Sequence, residues 1–448
     1  MHASSVIENP TGTNERPVAE NADKELMANI PPRERTRVKL AYSIQLGKML
    51  QNQPESPNDT LRPYLKAGHV RAGSVNTSDL PEMWFSTSDL KQYEVRYGDL
   101  LVSEGGDVGR CALWSSPNPV HIQNSVLRVR ERGGNSTAFL RYWLEYLKAA
   151  GYIDMVCNRA TIAHYTQDKL GDSPIGLPPA QDQKRMVSFL DRETARIDTL
   201  IAKKEHLLDL LEEKRMTVVS QAVTKGLNPS SVWRDSGIPT IGMIPTLWSV
   251  CRNKALFHEV NEPSVKGNEE LLTVSHITGV TRRSEKNVYM FLAESNEGYK
   301  RCKAGDLIIN TMWAWMGAAG VAKQSGIVSP AYGVYRPNER IYPPFMDLLI
   351  RTPEYRSEMA RFSQGVWRSR LRLYPEAFLS LKTPLPPMKD QVSICKWVEQ
   401  TNAASNRLSD KLELSITLLL ERRQSLIRAT VTGQLDPSTY MPKEGATA

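Results

Sequence analysis

Apolar positions recur at alternating steps of three and four along one long stretch of this chain, and that stretch occurs twice. Residues 177–229 open LPPAQDQKRMVSFLDRETARIDTLIAKKEHLLDLLEEKR and close on Thr224, Leu227 and Pro229. Residues 385–437 open LPPMKDQVSICKWVEQTNAASNRLSDKLELSITLLLERR and close on Thr432, Leu435 and Pro437. The copies align without a gap at a shift of 208 residues (385 minus 177), which superposes Asp182 on Asp390, Gln183 on Gln391 and Arg215 on Arg423. A period this long marks a duplicated half-protein, not a solenoid repeat. Leu-Pro-Pro favours extended backbone ahead of each copy. Asp182 and Asp390 then stand where an N-cap or first-turn acid is stabilised by the helix dipole. The first seam runs Leu190, Ile197, Ile201, Leu208, Leu211, Val218, Ala222. The second is kept in its later half, at Leu412, Ile416, Leu419 and Leu426. Gly226 and Gly433 read as terminators. A helix of roughly 40 residues is about 60 Å long. A seam sustained that far needs another helix, and the nearest candidate is its own duplicate, so an intramolecular coiled coil is predicted.

The rest of the chain hangs beside these copies. Residues 1–30 are polar and read as a disordered leader, as do 438–448 as a tail. Residues 31–176 change to short apolar runs between turns. VRYGDLLVSEGGDVGRCALW (95–114) predicts strand, Gly-rich turn, strand; HIQNSVLRVR (121–130) a further strand; FLRYWLEYLKAAG (139–151) a helix buried through Leu140, Trp143, Leu144 and Leu147. Residues 230–384 start with a turn-rich connector, DSGIPTIGMIPTLWSV, and repeat that grammar. Gly98-Asp99-Leu100 matches Gly305-Asp306-Leu307, GIVSPAYGVYRP takes the place of HIQNSVLRVRE, and a helix is predicted around 343–362. The prediction is α+β: domain, helix, domain, helix, with the globular sequences diverged more than the helices.

Composition adds less. The 448 residues suit two or three domains. The net charge of +8 permits a nucleic-acid partner without requiring one. Cys111, Cys157, Cys251, Cys302 and Cys395 form no CxxC, which argues against disulfide frameworks and zinc ribbons and for a reducing cytosol. No apolar run approaches the ~18 residues of a membrane span, and no signal-peptide core is present, so a soluble cytoplasmic protein is expected.

The chemical motifs are mostly negative. GGDVG (105–109) lacks the Lys-Ser/Thr of a phosphate loop and reads as a β-turn. YPPF (342–345) lacks the Asn or Asp that amino-methyltransferases place first, and reads as a loop. The seven histidines show no ligand spacing, so no metal site and no catalytic site are expected. Basic and aromatic residues in the globular parts are the positive signal. WRSRLRLY places Arg368, Arg370 and Arg372 between Trp367 and Tyr374, and NRATIAHY places Arg159, Thr161, His164 and Tyr165 in the matching part of the first domain. Arg282, Arg283, Lys286, Lys300, Arg301 and Lys303 add charge in the second domain, with Trp313 and Trp315 between its core strands. Arg62, Lys66, Arg71 and Arg110 add charge in the first. Arginine bonds guanine edges bidentately or holds phosphates, so DNA contact is expected from this set.

With the LPPxxDQ openings, the duplicated plan, the connector DSGIPTIGMIPTLW and GDLIINTMWAWMGAAGV followed by GIVSPAYGVYRP, the chain resembles the specificity subunits of type I restriction–modification systems over nearly everything after residue 31. The resemblance implies two target-recognition domains, each reading half of a bipartite DNA site. It implies a pseudo-twofold arrangement in which the long helices form an antiparallel spacer, and half-site centres about one helical turn, roughly 34 Å, apart. It further implies a non-catalytic chain that binds no cofactor itself. Its partners would be two methyltransferase (modification) subunits using S-adenosylmethionine, and motor-nuclease (restriction) subunits using ATP and Mg²⁺. Gln183, Leu208, Leu211, Gln391, Ile416 and Leu419 are the expected spacer and partner-binding positions. The first domain departs from the family in lacking a connector motif at its start. Two other readings stay open: an enzyme with its own methyltransferase or nuclease site, and a coiled-coil scaffold that binds only proteins. A methylation-only or phage-defence complex would use the same subunit.

Overall fold

The computed structural model describes residues 23–157, 163–285, 295–365 and 371–440. The chain divides into two units, Met1–Lys204 with Leu414–Ala448, and Glu205–Glu413. Each has its own hydrophobic core.

Both units are built on a four-stranded antiparallel sheet with one strand order. In the first unit the neighbours are Tyr42–Leu46, Val126–Glu131, Leu100–Ser103 and Cys111–Leu113. In the second they are Phe257–Glu259, Tyr332–Pro337, Leu307–Asn310 and Ala319–Val321. Leu100–Ser103 and Leu307–Asn310 are buried at every position, which is why these strands read as unbroken apolar runs instead of alternating ones. Ahead of each strand a left-handed glycine, Gly98 (φ +87°) or Gly305 (φ +95°), makes the turn. The aspartate that follows is buried yet fully paired. Asp99 accepts from the Arg96 backbone N–H at 2.8 Å and from Arg130 at 2.7 and 2.6 Å. Asp306 accepts from the Lys303 N–H at 2.8 Å and from Arg336 twice at 2.9 Å. The Gly-Asp-Leu match is therefore one ion-paired turn used twice.

Three local expectations change. HIQNSVLRVR is two strands, Val120–Ile122 and Val126–Glu131, in different sheets. The helix expected over 343–362 is two helices, Pro343–Ile350 and Pro353–Phe362. Pro353 has no N–H to continue the first helix, and Thr352 Oγ1 caps the second by accepting from Tyr355 N. Tyr342-Pro-Pro-Phe is not a loop: Tyr342 is the N-cap and the prolines open the helix.

The repeated stretches are helices of 46 and 44 residues, Ala180–Lys225 and Met388–Val431, followed by left-handed Gly226 and Gly433. In the first unit, Phe189 and Leu190 of the first helix share a core with Ile427 and Val431 of the second, and Arg423 Nε donates to Asp198 Oδ1 at 2.9 Å. In the second unit, Ala222 and Val223 share a core with Ile394 and Val398, and Arg215 Nη1 donates to Asn402 Oδ1 at 3.2 Å. Early residues of one helix meet late residues of the other in both units, so the pairing is antiparallel. Arg215 and Arg423, superposed by the 208-residue shift, each bond across to the other helix, though to partners that the shift does not superpose. Leu190, Ile197, Ile201 and Ala222 are buried, whereas Leu208, Leu211, Val218, Leu412, Ile416, Leu419 and Leu426 are half-buried. A side chain in a two-helix seam is covered from one side only.

The connector is more than turns. Trp233–Asp235 pairs with Met243–Pro245, Ile238, Ile241, Ile244 and Trp248 are buried, and Lys225 Nζ donates to the Ile241 carbonyl at 2.7 Å. Parts of the expected leader and tail are ordered. Residues 23–26 are helical, and Met27 and Ile30 are buried in the first unit's core; Pro437–Tyr440 forms a 3₁₀ turn. Two apolar side chains suffice to order a polar segment. Among the described residues no helix is long and apolar enough to cross a membrane.

Candidate nucleic-acid interface

The loop after each fully buried strand carries the candidate chemistry, and one hydrogen bond fixes the correspondence between the units. Tyr165 N donates to the Glu104 carbonyl at 2.8 Å, and Leu373 N, 208 positions on, donates to the Thr311 carbonyl at 2.9 Å. Glu104 therefore stands where Thr311 does, and His164 where Arg372 does.

In the second unit the loop runs from Asn310 to Gly317. Asn310 Oδ1 accepts from Met312 N at 3.2 Å, Thr311 Oγ1 donates to the Ala331 carbonyl at 2.9 Å, and the turn Ala314–Met316 closes on Gly317 at φ +92°. A β-carbon on Gly317 would stand 3.0 Å from Arg356 Cδ, so the arginine stem lies over this turn. Trp313, Met312 and Tyr374 are exposed. Trp315 is half-buried, its Nε1 donating to the Met312 carbonyl at 3.1 Å. The two indoles are nearly parallel, 17° apart, with centroids 6.3 Å apart. Arg372 is held by two backbone hydrogen bonds with Gln364, both 2.8 Å, and its Nη2 is 3.8 Å from Met312 Sδ. Trp367, Arg368 and Arg370 fall between these anchors but lie outside the described residues, as does Lys286. Burial raises the Tyr332 hydroxyl above its ordinary pKa, opposed by a hydrogen bond with Thr273 and then by the charge of Arg283. Arg282 is exposed and donates to Gln324 Oε1 at 3.0 Å.

In the first unit the loop is polar. Ser103 Oγ donates to the Gly105 carbonyl at 2.7 Å, Asp107 is ion-paired with Lys148, and Gly109 is left-handed, with Ile153 Cδ1 2.7 Å from where a β-carbon would be. The Arg110 guanidinium reaches the Ala67 carbonyl at 3.4 Å, while its buried Nε has no hydrogen-bond partner. Arg62, Lys66 and Arg71 are exposed. Arg159 and Thr161 lie outside the described residues. Tyr165 is a correction: it is fully buried, its hydroxyl 2.6 Å from Ser173 Oγ, and it holds the loop instead of facing a ligand. His164 is exposed beside Gly105. Burial raises the Glu104 carboxyl above the ordinary glutamate value, opposed by His164. A carboxyl with a raised pKa takes up its proton at higher pH, which removes a negative charge facing an anionic ligand. DNA binding should therefore strengthen as pH falls from neutral through the acidic range. In a His164→Gln background, which removes the imidazole's own response, Glu104→Gln should flatten that dependence in anisotropy titrations at fixed ionic strength. An unchanged slope would refute the role of Glu104.

The polar spacer residues are also corrected. Gln183 and Gln391 are completely buried and offer no surface to a partner. Gln183 Oε1 accepts from Ser136 N at 2.9 Å and its Nε2 donates to the Pro178 carbonyl at 2.8 Å. Gln391 Oε1 accepts from Tyr342 N at 2.8 Å, and its Nε2 donates to the Arg340 and Pro386 carbonyls at 2.9 and 3.0 Å. Each ties the start of a long helix to the globular part of its own unit. Leu200, Leu207, Leu210, Leu408, Leu414, Leu418 and Leu420 are exposed leucines of the helices, and Met216 and Met388 are exposed beside them. Among the described residues no group of three or more His, Cys, Asp or Glu could hold a metal ion. Sequence reasoning missed Glu104, Lys148, Met312 and Arg356; the Gly-Asp-Leu alignment carried through the next loop pairs Glu104 with Thr311 and would have found the first.

Residues 47–209 match the type I restriction modification DNA specificity domain. The chain is 24% identical over 395 residues to the type I restriction enzyme EcoBI specificity subunit of Escherichia coli, covering 83% of this chain and 80% of that one. Among solved structures it resembles a chain from a study of complex assembly and conformational transition in the type I R-M system, with a TM-score of 0.65 and 14% identity, covering 91% of this chain and 99% of that one. It also resembles the HsdS subunit of Thermoanaerobacter tengcongensis, with a TM-score of 0.51 and 14% identity, covering 91% and 98%.

Proposed function

We infer that this chain, a type I restriction–modification specificity subunit by its domain, its relatives and its fold, reads one asymmetric two-part sequence in duplex DNA, each unit taking one half. The observation that carries this reading is the equivalence of the two loops: one scaffold presents Glu104 and His164 in the first unit and Thr311 and Arg372 in the second. A frame used twice with different side chains is what two unlike half-sites require. Arginine at the 372 position can bond guanine bidentately. Arg62, Lys66, Arg71, Arg110, Arg282 and Arg283 supply phosphate contacts that set register.

The chain performs no chemistry of its own in this reading. It seats two methyltransferase subunits, which use S-adenosylmethionine to modify adenine N6, and motor-nuclease subunits that use ATP and Mg²⁺. The exposed leucines of the long helices suit such partners, and the complex works in the cytoplasm, where the host DNA is. The test is a genome-wide methyladenine map of the host with and without the gene. Loss of methylation at one asymmetric two-part motif is expected; methylation unchanged at every motif in a host expressing the complex would sink the reading. On that motif, log K should fall linearly with log salt, at a slope of about −0.9 per phosphate contact.

A further inference from the structure

We propose that Trp313 and Trp315 form a stacking platform for an unstacked base, so that the second unit opens its half-site at a position that the first unit leaves stacked in its own half. This rests on the DNA-reading function above and adds how one half is engaged. Trp313 is 48% exposed on a loop whose backbone is fixed by its own hydrogen bonds and a left-handed glycine. An indole left in water on a rigid turn is poised to cover something apolar and flat. Trp315 is pinned through its Nε1, and the two rings present nearly parallel faces. The apolar surface continues through Met312 and Tyr374, and it is flanked by Arg372 and Arg356. Aromatic faces edged with guanidinium groups suit nucleic acid, since arginines take the phosphates and rings take the bases.

Duplex DNA with its bases stacked shows only edges and backbone in its grooves; a base offers its face to an indole only when it leaves the stack. A platform of this kind therefore selects or produces a local opening, as apolar wedges do when they unstack base steps. Among the described residues, the first unit has no counterpart. Its matching loop holds Gly105, Gly106 and Asp107, with no aromatic face and with a carboxylate ion-paired to Lys148.

The experiment uses the full chain with its modification subunits and a synthetic duplex carrying the methylated motif. The double variant Trp313→Ala/Trp315→Ala should bind between about 5-fold and 150-fold more weakly than the parent. Trp313→Phe/Trp315→Phe should recover most of that loss, because phenylalanine keeps a stacking face. A single mismatch scanned through the motif, leaving out the adenines that the methyltransferase subunits themselves flip out, should tighten binding by the parent at one position, in the second unit's half only, because the cost of opening is removed in advance. That gain should vanish in the double alanine variant. The proposal is overturned if the alanine variant binds the motif as the parent does, or if no mismatch outside the methylated adenines tightens binding. It is also overturned if the variant loses its modification subunits while retaining DNA affinity, which would make the patch a protein-docking surface. Failure of the parent complex to prefer the motif over a scrambled duplex would instead strike the DNA-reading function itself.

Discussion

Replacing Asp306 by alanine should destabilise the second unit by about 3 kcal/mol. Its carboxylate is 2% exposed, and removing it strands the Arg336 guanidinium, itself only 26% exposed, together with the Lys303 amide. An uncompensated cation beside an apolar strand costs far more than the ion pair contributes. Glu262, 3.6 Å from Arg336, recovers part of the loss, which keeps the expected value at the lower end for a broken buried pair. Hydrogen exchange read peptide by peptide is the measurement: protection of 307–310 and 332–337 should drop while 100–103 keeps its protection. Asp306→Asn, which retains an acceptor for the Lys303 N–H, should lose less. Asp99→Ala should give the mirror result in the first unit. Equal loss of protection in both units would show that the turn does not act locally.

The Gln391→Ala variant should cost a similar amount, about 3 kcal/mol, because it leaves the Tyr342 amide and the Arg340 and Pro386 carbonyls without their partner in a water-poor site. Gln391→Glu is the sharper test. Glutamate fills the same space and can accept from Tyr342 N, but once ionised it has no proton to donate to the two carbonyls. It should be at least as destabilising as alanine in urea melts, and the deficit should shrink as pH falls and the carboxyl regains a proton it can donate. If glutamate is tolerated as well as glutamine, the three-way bond does not join helix to domain as described. Gln183→Ala should act in the same way in the first unit.

Much of the architecture was legible beforehand because it rests on local rules. The seven-residue alternation, the opening prolines and the closing glycines specify two long helices with little reference to the rest of the chain. The Gly-Asp-Leu turns are similarly self-contained, since glycine supplies the left-handed backbone and aspartate satisfies the turn's own amide. Duplication could be seen because the helix copies align without a gap. What they pair with was an inference from seam length, and the bonds from Arg423 to Asp198 and from Arg215 to Asn402 give it a register.

The candidate site was legible only as a set of residue types. Tyr165 and His164 are neighbours in sequence, yet one is buried against Ser173 and the other faces solvent; their separation depends on which side of the Glu104 carbonyl each falls. Gln183 and Gln391 looked like surface positions on a helix, and their burial comes from the globular domain closing over them. The sequence by itself determined the two helices, the repeated turn and the presence of basic and aromatic side chains. Tertiary structure alone decided which of those side chains are exposed and which are consumed in holding the frame. The physical reason is one of range: backbone preference and periodicity act over a few residues, whereas burial of a polar or aromatic group is settled by strands and helices tens to hundreds of residues away.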